Sequence, residues 1–236
     1  MFQYVLFDLD GTLTDPKTGI TSCVQYALAD AGIEEPDLDK SYHNTFVGWY
    51  FGPPLTDSFR EFYGFDDEQI KRAIDKYHER FDEKGIFENE IIEGIPELLK
   101  ALKDAGRRVS IASSKPRPLV IRILEHFEIA QYFDTVVGSE FDGRFATKEA
   151  VVEEALKQLV PSVYEKEDVA MVGDRKFDIQ GARAHGLTGI GVSFGYAGEH
   201  ELEDAGADYI VDTVEECRDF CCREAYEQKI KSSQRT

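Results

Sequence analysis

From residue 90 onward the chain alternates short apolar runs with amphipathic stretches, and that alternation restricts the fold more than any other feature. Arg108 to Ser113, Phe133 to Gly138, Val169 to Val172, Leu187 to Ser193 and Tyr209 to Val211 read as strands. Pro116 to Phe127 and Thr147 to Leu159 read as helices, and a further helix after Val172 ends near Gly186. Gly94-Ile95-Pro96 opens another helix with proline in its first turn, and Ala105-Gly106 closes it. Strands and helices in this order imply parallel βαβ units, hence an α/β fold with a doubly wound, Rossmann-like parallel sheet. Tyr4-Val5-Leu6-Phe7 supplies one more buried strand at the start, broken at Gly11.

Residues 16 to 88 obey a different rule. They carry helical periodicity with breaks at Gly32, Gly52-Pro53-Pro54 and Gly64, and no convincing strand. A helix over Asp66 to Lys84 begins with Asp66-Asp67-Glu68, acids suited to a helix N-terminus, and stops at Gly85. The expected organisation is therefore an α/β core from residues 1–15 and 89–236, with an all-helical domain, 16–88, inserted after the first strand. An insert at that point is placed to act as a lid.

Composition narrows the partners. The 236 residues, 42% hydrophobic, suffice for one large core or a core with a smaller insertion. A formal net charge of −19 disfavours nucleic acid and anionic membrane surfaces, and any anionic ligand would need local positive charge. No apolar run reaches membrane-spanning length, and the first residues enter a strand without a signal-peptide pattern, so a cytoplasmic protein is expected. Cys23, Cys217, Cys221 and Cys222 lack metal-site or redox-pair spacing and read as reduced packing residues. Residues 229–236 are polar and expected to fray.

The chemistry gathers at strand ends. The first strand runs into Asp8-Leu9-Asp10-Gly11-Thr12-Leu13-Thr14, at the edge where open α/β sheets bind ligands. Two carboxylates this close repel, so such a pair usually holds a cation or divides acid and base roles. Alone, an Asp-x-Asp is more often a strand end with an Asx-turn. A second strand ends in Ser113-Ser114-Lys115 with Pro116 opening a helix, which suits either an anion site at the helix N-terminus or simple capping by Ser114. Lys148 begins a helix where an acid is the usual choice. Gly173-Asp174 closes another strand, with Asp178 four residues on, and Asp174 by itself could merely cap the helix.

These pieces, in this order, resemble the haloacid dehalogenase superfamily over essentially the whole chain. The matching residues are Asp8 to Thr14, Ser113, Lys148, and Gly173-Asp174 through Asp178. The helical insert resembles that family's small α-helical cap, and Gly52-Pro53-Pro54-Leu55 resembles the phosphoglycolate-phosphatase-like branch. The resemblance implies a Mg²⁺-dependent phosphatase for small phosphate monoesters, phosphoglycolate or a nucleoside 5′-monophosphate, working through an aspartyl-phosphate. It implies that Asp8 is the nucleophile and Asp10 the general acid and base. It implies that Asp8 and Asp174 bind the metal through side chains and Asp10 through its main-chain carbonyl, with Asp178 behind them. Ser113, Lys148 and the amides of Leu9, Asp10 and Ser114 would hold the phosphoryl oxygens. Lys115 could share the phosphate role or only decorate the helix start, and Lys148 is favoured because it matches the motif.

Two other classes compete. A phosphosugar mutase would place a histidine soon after the first motif, where this chain has Ile20 and then nothing before His43. A non-catalytic regulatory module would be expected to lack Asp8, Asp10 or Asp174, and all are present. Trp49-Tyr50-Phe51, between Gly48 and Gly52, departs from the family pattern and suits a leaving-group contact or packing within the cap or a dimer. Core motifs do not name the leaving group, and monomer and homodimer stay equally open.

Overall fold

In the computed structural model, residues 2–34, 55–160 and 164–223 are described. His43, Trp49-Tyr50-Phe51 with its flanking Gly-Pro-Pro, and the tail 229–236 lie outside them. The chain divides into two compact units, one of Met1–Leu13 with Ile91–Thr236 and one of Thr14–Glu90.

The larger unit is built on a sheet. Strand β1 (Tyr4–Phe7) is followed in the chain by two short strands, β2 (Thr14–Asp15) and β3 (Glu90–Ile91), which pair with one another. Five more follow: β4 (Arg108–Pro116), β5 (Thr135–Ser139), β6 (Val169–Gly173), β7 (Thr188–Val192) and β8 (Tyr209–Val211). Together with β1 they form a six-stranded sheet in the order β5-β4-β1-β6-β7-β8, every neighbouring pair parallel. The α/β class and the doubly wound parallel sheet are as the alternation predicts.

Parallel strands covered on both faces must be apolar on both faces, and β6 reads Val-Ala-Met-Val-Gly with every residue buried. Leu6, Ala112, Val137 and Met171 on one face pack against Val151, Val152, Ala155 and Leu156. Full burial of each valine, leucine or methionine among them contributes about 1.5–3 kcal/mol. Met171→Ala would cost about 2–5 kcal/mol through the cavity it leaves.

Register then decides what lies at the edge. Phe7 pairs with Ile111 of β4 on one side and Val172 of β6 on the other. The Asp8 amide continues the ladder by donating to the Val172 carbonyl at 3.0 Å. β1 and β6 therefore end within one residue of each other while β4 continues past them to Pro116, and residues more than a hundred positions apart are carried to one edge.

The smaller unit contains α1 (Lys17–Asp30), α2 (Leu55–Tyr63) and α3 (Asp67–Glu83). Asp66 caps α3 in a reciprocal capping box with Gln69, which explains why the helix starts at the predicted acids. Phe59 stacks on Phe65, and Tyr77 on Phe81. Arg80 clamps Glu88 with bonds of 2.7 and 2.8 Å and also donates to Cys23 Sγ.

The larger unit continues with α4 (Ile95–Asp104), α5 (Arg117–His126), α6 (Lys148–Leu159), α7 (Lys176–Ala184), α8 (Glu201–Ala205) and α9 (Val214–Cys222). Gly94 enters α4 at φ 88° and proline follows in the first turn, as expected. Cys217 and Cys221 are buried on α9, and all four cysteines are free thiols.

Two readings are corrected. Strand β4 does not stop at Ser113 but runs to Pro116, pairing Pro116 with Ser139 across a register shift. Helix α5 consequently starts at Arg117 with Pro116 in the cap position and no side-chain cap bond, so Ser114 does not cap it. Ser114 is exposed, and its carbonyl accepts from Ser139 Oγ at 2.8 Å. Likewise Asp174 is not a helix cap, because Arg175 occupies the cap of α7 and donates its amide to Asp178.

Candidate active site

Asp8 stands one residue past β1 and Asp10 two further on, in a turn that Gly11 makes possible. Gly11 has φ +80°, and a Cβ there would run into the Asp174 carboxylate and, at 2.6 Å, the Tyr196 ring. Leu13 and Thr12 both donate amides back to the Leu9 carbonyl, which closes the turn. Leu9 itself is fully buried, so its side chain anchors the loop.

Lys148 is the first residue of α6, with Thr147 accepting from the Ala150 amide as the cap. A cation at a helix N-terminus is unfavourable by the dipole. It is held there by acceptors: Asp8 Oδ1 at 2.9 Å, Asp178 Oδ1 at 2.8 Å and the Ala112 carbonyl at 3.0 Å. The Ala112 carbonyl accepts a hydrogen bond, and the two carboxylates hold the ammonium as ion pairs. Gly181 on α7 leaves space for this, since a Cβ would sit 3.1 Å from Lys148 Cγ. Burial alone would lower the Lys148 ammonium, but the charges of Asp178 and Asp8 outweigh it and raise it above its ordinary range.

Asp174, at the end of β6, is wholly buried. It accepts from Thr12 Oγ1 at 3.3 Å and from the Tyr196 amide at 2.8 Å. Burial, and then the charges of Asp178 and Asp8, push its carboxyl well above the usual range. Burial likewise lifts Asp178 to about 6 against the pull of Lys148. Ser113 is buried on β4, its Oγ accepting from the Lys115 amide at 3.3 Å.

Lys115 reaches Asp10 Oδ2 at 2.6 Å. Burial raises the Asp10 carboxyl, with the Lys115 ammonium pulling the other way. Sequence reasoning left this lysine undecided and did not single out Thr12 or the Tyr196 amide. Thr12 lies inside the first motif. The Tyr196 contact is a backbone one whose only trace is Gly195, where a Cβ would strike Asp174.

Asp8, Asp174 and Asp178 offer carboxylate oxygens within 4.8 Å of one another. Burial first, and then the repulsion among three acids at one point, drives Asp174 and Asp178 toward protonation despite the charge of Lys148. An all-oxygen, all-carboxylate set suits a hard divalent cation such as Mg²⁺. The residues present fit that ion. The structure thus brings Asp8, Asp10, Ser113, Lys148, Asp174 and Asp178 to one sheet edge, with Asp178 in the acidic trio as well as beside the lysine.

A parallel sheet with acidic residues gathered at the carboxyl ends of its central strands is the layout of an α/β enzyme. The chain belongs to the haloacid dehalogenase-like hydrolases, whose family model matches residues 5–192. It is 43% identical over 202 residues to a 5′-nucleotidase of Pseudomonas aeruginosa, covering 85% of this chain and 87% of that one. It is 37% identical over 220 residues to the tyrosine-protein kinase PtkA of Mycobacterium tuberculosis, covering 92% of this chain and 72% of the relative. A crystal structure of a candidate phosphatase from Clostridium difficile superposes with a TM-score of 0.84 at 43% identity, covering 93% of this chain and 98% of that one.

Proposed function

We propose that this protein is a Mg²⁺-dependent phosphatase for small phosphate monoesters, a nucleoside 5′-monophosphate or phosphoglycolate, acting through an aspartyl-phosphate on Asp8. The observation that carries the reading is the Lys148 ammonium lying 2.9 Å from Asp8 and 2.8 Å from Asp178 beside the buried Asp174. A carboxylate nucleophile splits a very slow hydrolysis into two easier steps. The similarity to a 5′-nucleotidase supports the nucleotide.

In this reading Asp8 and Asp174 hold the metal through side chains and Asp10 through its carbonyl, with Asp178 taking a ligand place or orienting a bound water. The ion would neutralise phosphoryl charge that a chain of net charge −19 otherwise repels. Asp8 attacks phosphorus as the bond to the leaving oxygen breaks, and Asp10 gives that oxygen its proton. Asp10 then takes a proton from the water that attacks the acyl phosphate, releasing phosphate and restoring Asp8. Lys148 and Ser113, with the Leu9, Asp10 and Ser114 amides, hold the phosphoryl oxygens as charge builds.

The test is phosphate release from nucleoside monophosphates, phosphoglycolate, sugar phosphates and pyrophosphate with Mg²⁺ or EDTA, with Asp8→Asn alongside. One preferred ester, silenced by Asp8→Asn and by EDTA, is expected. Release that survives Asp8→Asn overturns the nucleophile, and no release with Mg²⁺ overturns the phosphatase. A parallel arm with ATP and a tyrosine peptide reads the activity that one relative is named for.

A further inference from the structure

Asp10 must present one oxygen to two different partners, first the departing alcohol and then water. An aspartate χ2 is broad, so an unrestrained carboxylate would rotate between them. Here Lys115 takes Oδ2 at 2.6 Å, while Oδ1 is buried and accepts no hydrogen bond among the described residues.

Lys115 is set up to do this by the strand. Because β4 runs past Ser113, Lys115 falls two residues beyond it on the same extended stretch. Its amide donates to Ser113 Oγ, and its side chain is only 9% exposed. The other lysine is committed elsewhere, with Asp8, Asp178 and the Ala112 carbonyl around it.

We propose that Lys115 is a positioning residue that pins Asp10 Oδ2 and so aims Oδ1 at the leaving-group oxygen. The inference rests on the proposed phosphatase mechanism, with Asp10 as its general acid. In the first step the Asp8 oxygen bonds to phosphorus and the ester P–O bond breaks. The Asp10 proton goes to the departing oxygen, leaving a neutral alcohol. In the second, water bonds to phosphorus, its proton returns to Asp10 and the Asp8–phosphorus bond breaks.

Leaving groups separate this role from phosphate binding. An alkoxide needs the proton badly, whereas p-nitrophenolate leaves without it. The value of kcat/KM reports only steps up to leaving-group departure, so the later water step does not interfere. For Lys115→Met, kcat/KM with the best alkyl phosphate of the panel should fall about 100-fold, the low end of general-acid effects. With p-nitrophenyl phosphate the fall should be severalfold at most. Lys115→Arg, which keeps the charge and a donor, should recover at least tenfold on the alkyl ester.

Equal losses on both esters, a rise in KM with kcat unchanged, or no loss at all would each overturn the proposal. Should Lys115→Met fail to fold, Lys115→Gln takes its place: its loss must again be larger for the alkyl than for the aryl ester. Activity persisting in Asp8→Asn would instead sink the underlying mechanism.

Discussion

Gly173 has no room for a Cβ because the side chain of Asp178 fills that space. The strand end and the first turn of α7 therefore fit only with glycine at 173, and Asp178 is pressed toward Asp8 and Asp174. Gly173→Ala should cost about 1–3 kcal/mol from overpacking, read as a shift in the urea midpoint. It should also weaken Mg²⁺ stabilisation in thermal melts, while an alanine at the exposed, unobstructed Gly64 should leave Mg²⁺ stabilisation as it is.

Lys148→Met removes the cation between Asp8 and Asp178. Breaking a buried ion pair from one side typically costs about 3–5 kcal/mol. Activity should fall at least about 100-fold, by analogy with loss of one preorganised charge-stabilising donor. Denaturation and steady-state kinetics at saturating Mg²⁺ check both, and near-normal turnover would remove Lys148 from the phosphoryl site.

Asp178 gives a pH signature. Burial holds its folded pKa at about 6, above the ordinary aspartate value near 3.9, so the folded protein binds the proton more tightly. Without metal, its contribution should therefore lower stability as pH rises from about 4 to 6. Asp178→Asn should be relatively more stable at pH 7 than at pH 4.5 in EDTA. Saturating Mg²⁺, which needs the deprotonated trio, should restore the wild type above pH 6. Urea melts of both proteins at the two pH values decide; an unchanged difference between them would refute the linkage.

Asp134 works with the opposite sign. It is partly desolvated, which would raise its carboxyl. The Lys103 ammonium at 2.8 Å, the Val109 amide at 2.8 Å and the Arg108 charge more than offset this and lower it. Its stabilisation is present above the unfolded value near 3.9 and lost as pH falls below that. Because the pair is partly exposed, Asp134→Ala should cost only about 1–2 kcal/mol at neutral pH, less at pH 3.

The sequence revealed most where one local rule was enough. Val169 to Val172 is apolar throughout because both sheet faces are covered, and Asp8 and Asp174 announce themselves by following such runs. The extension of β4 to Pro116 was hidden because Lys115-Pro116 reads as a polar helix entrance. Only pairing with Ser139, a tertiary fact, makes it strand. Strands of two residues, Thr14–Asp15 and Glu90–Ile91, have no period to detect. Lys115 stayed ambiguous for the same reason: its partner, Asp10, is remote in sequence.

The Ile92 amide donates to the Leu13 carbonyl at 3.0 Å, so the core's chain leaves and returns at neighbouring points. Between them lies the unit Thr14–Glu90. Because those anchor points are already joined, the entropy of closing the intervening loop grows only slowly with its length. The sheet can therefore host helical inserts of very different size without altering its strand order.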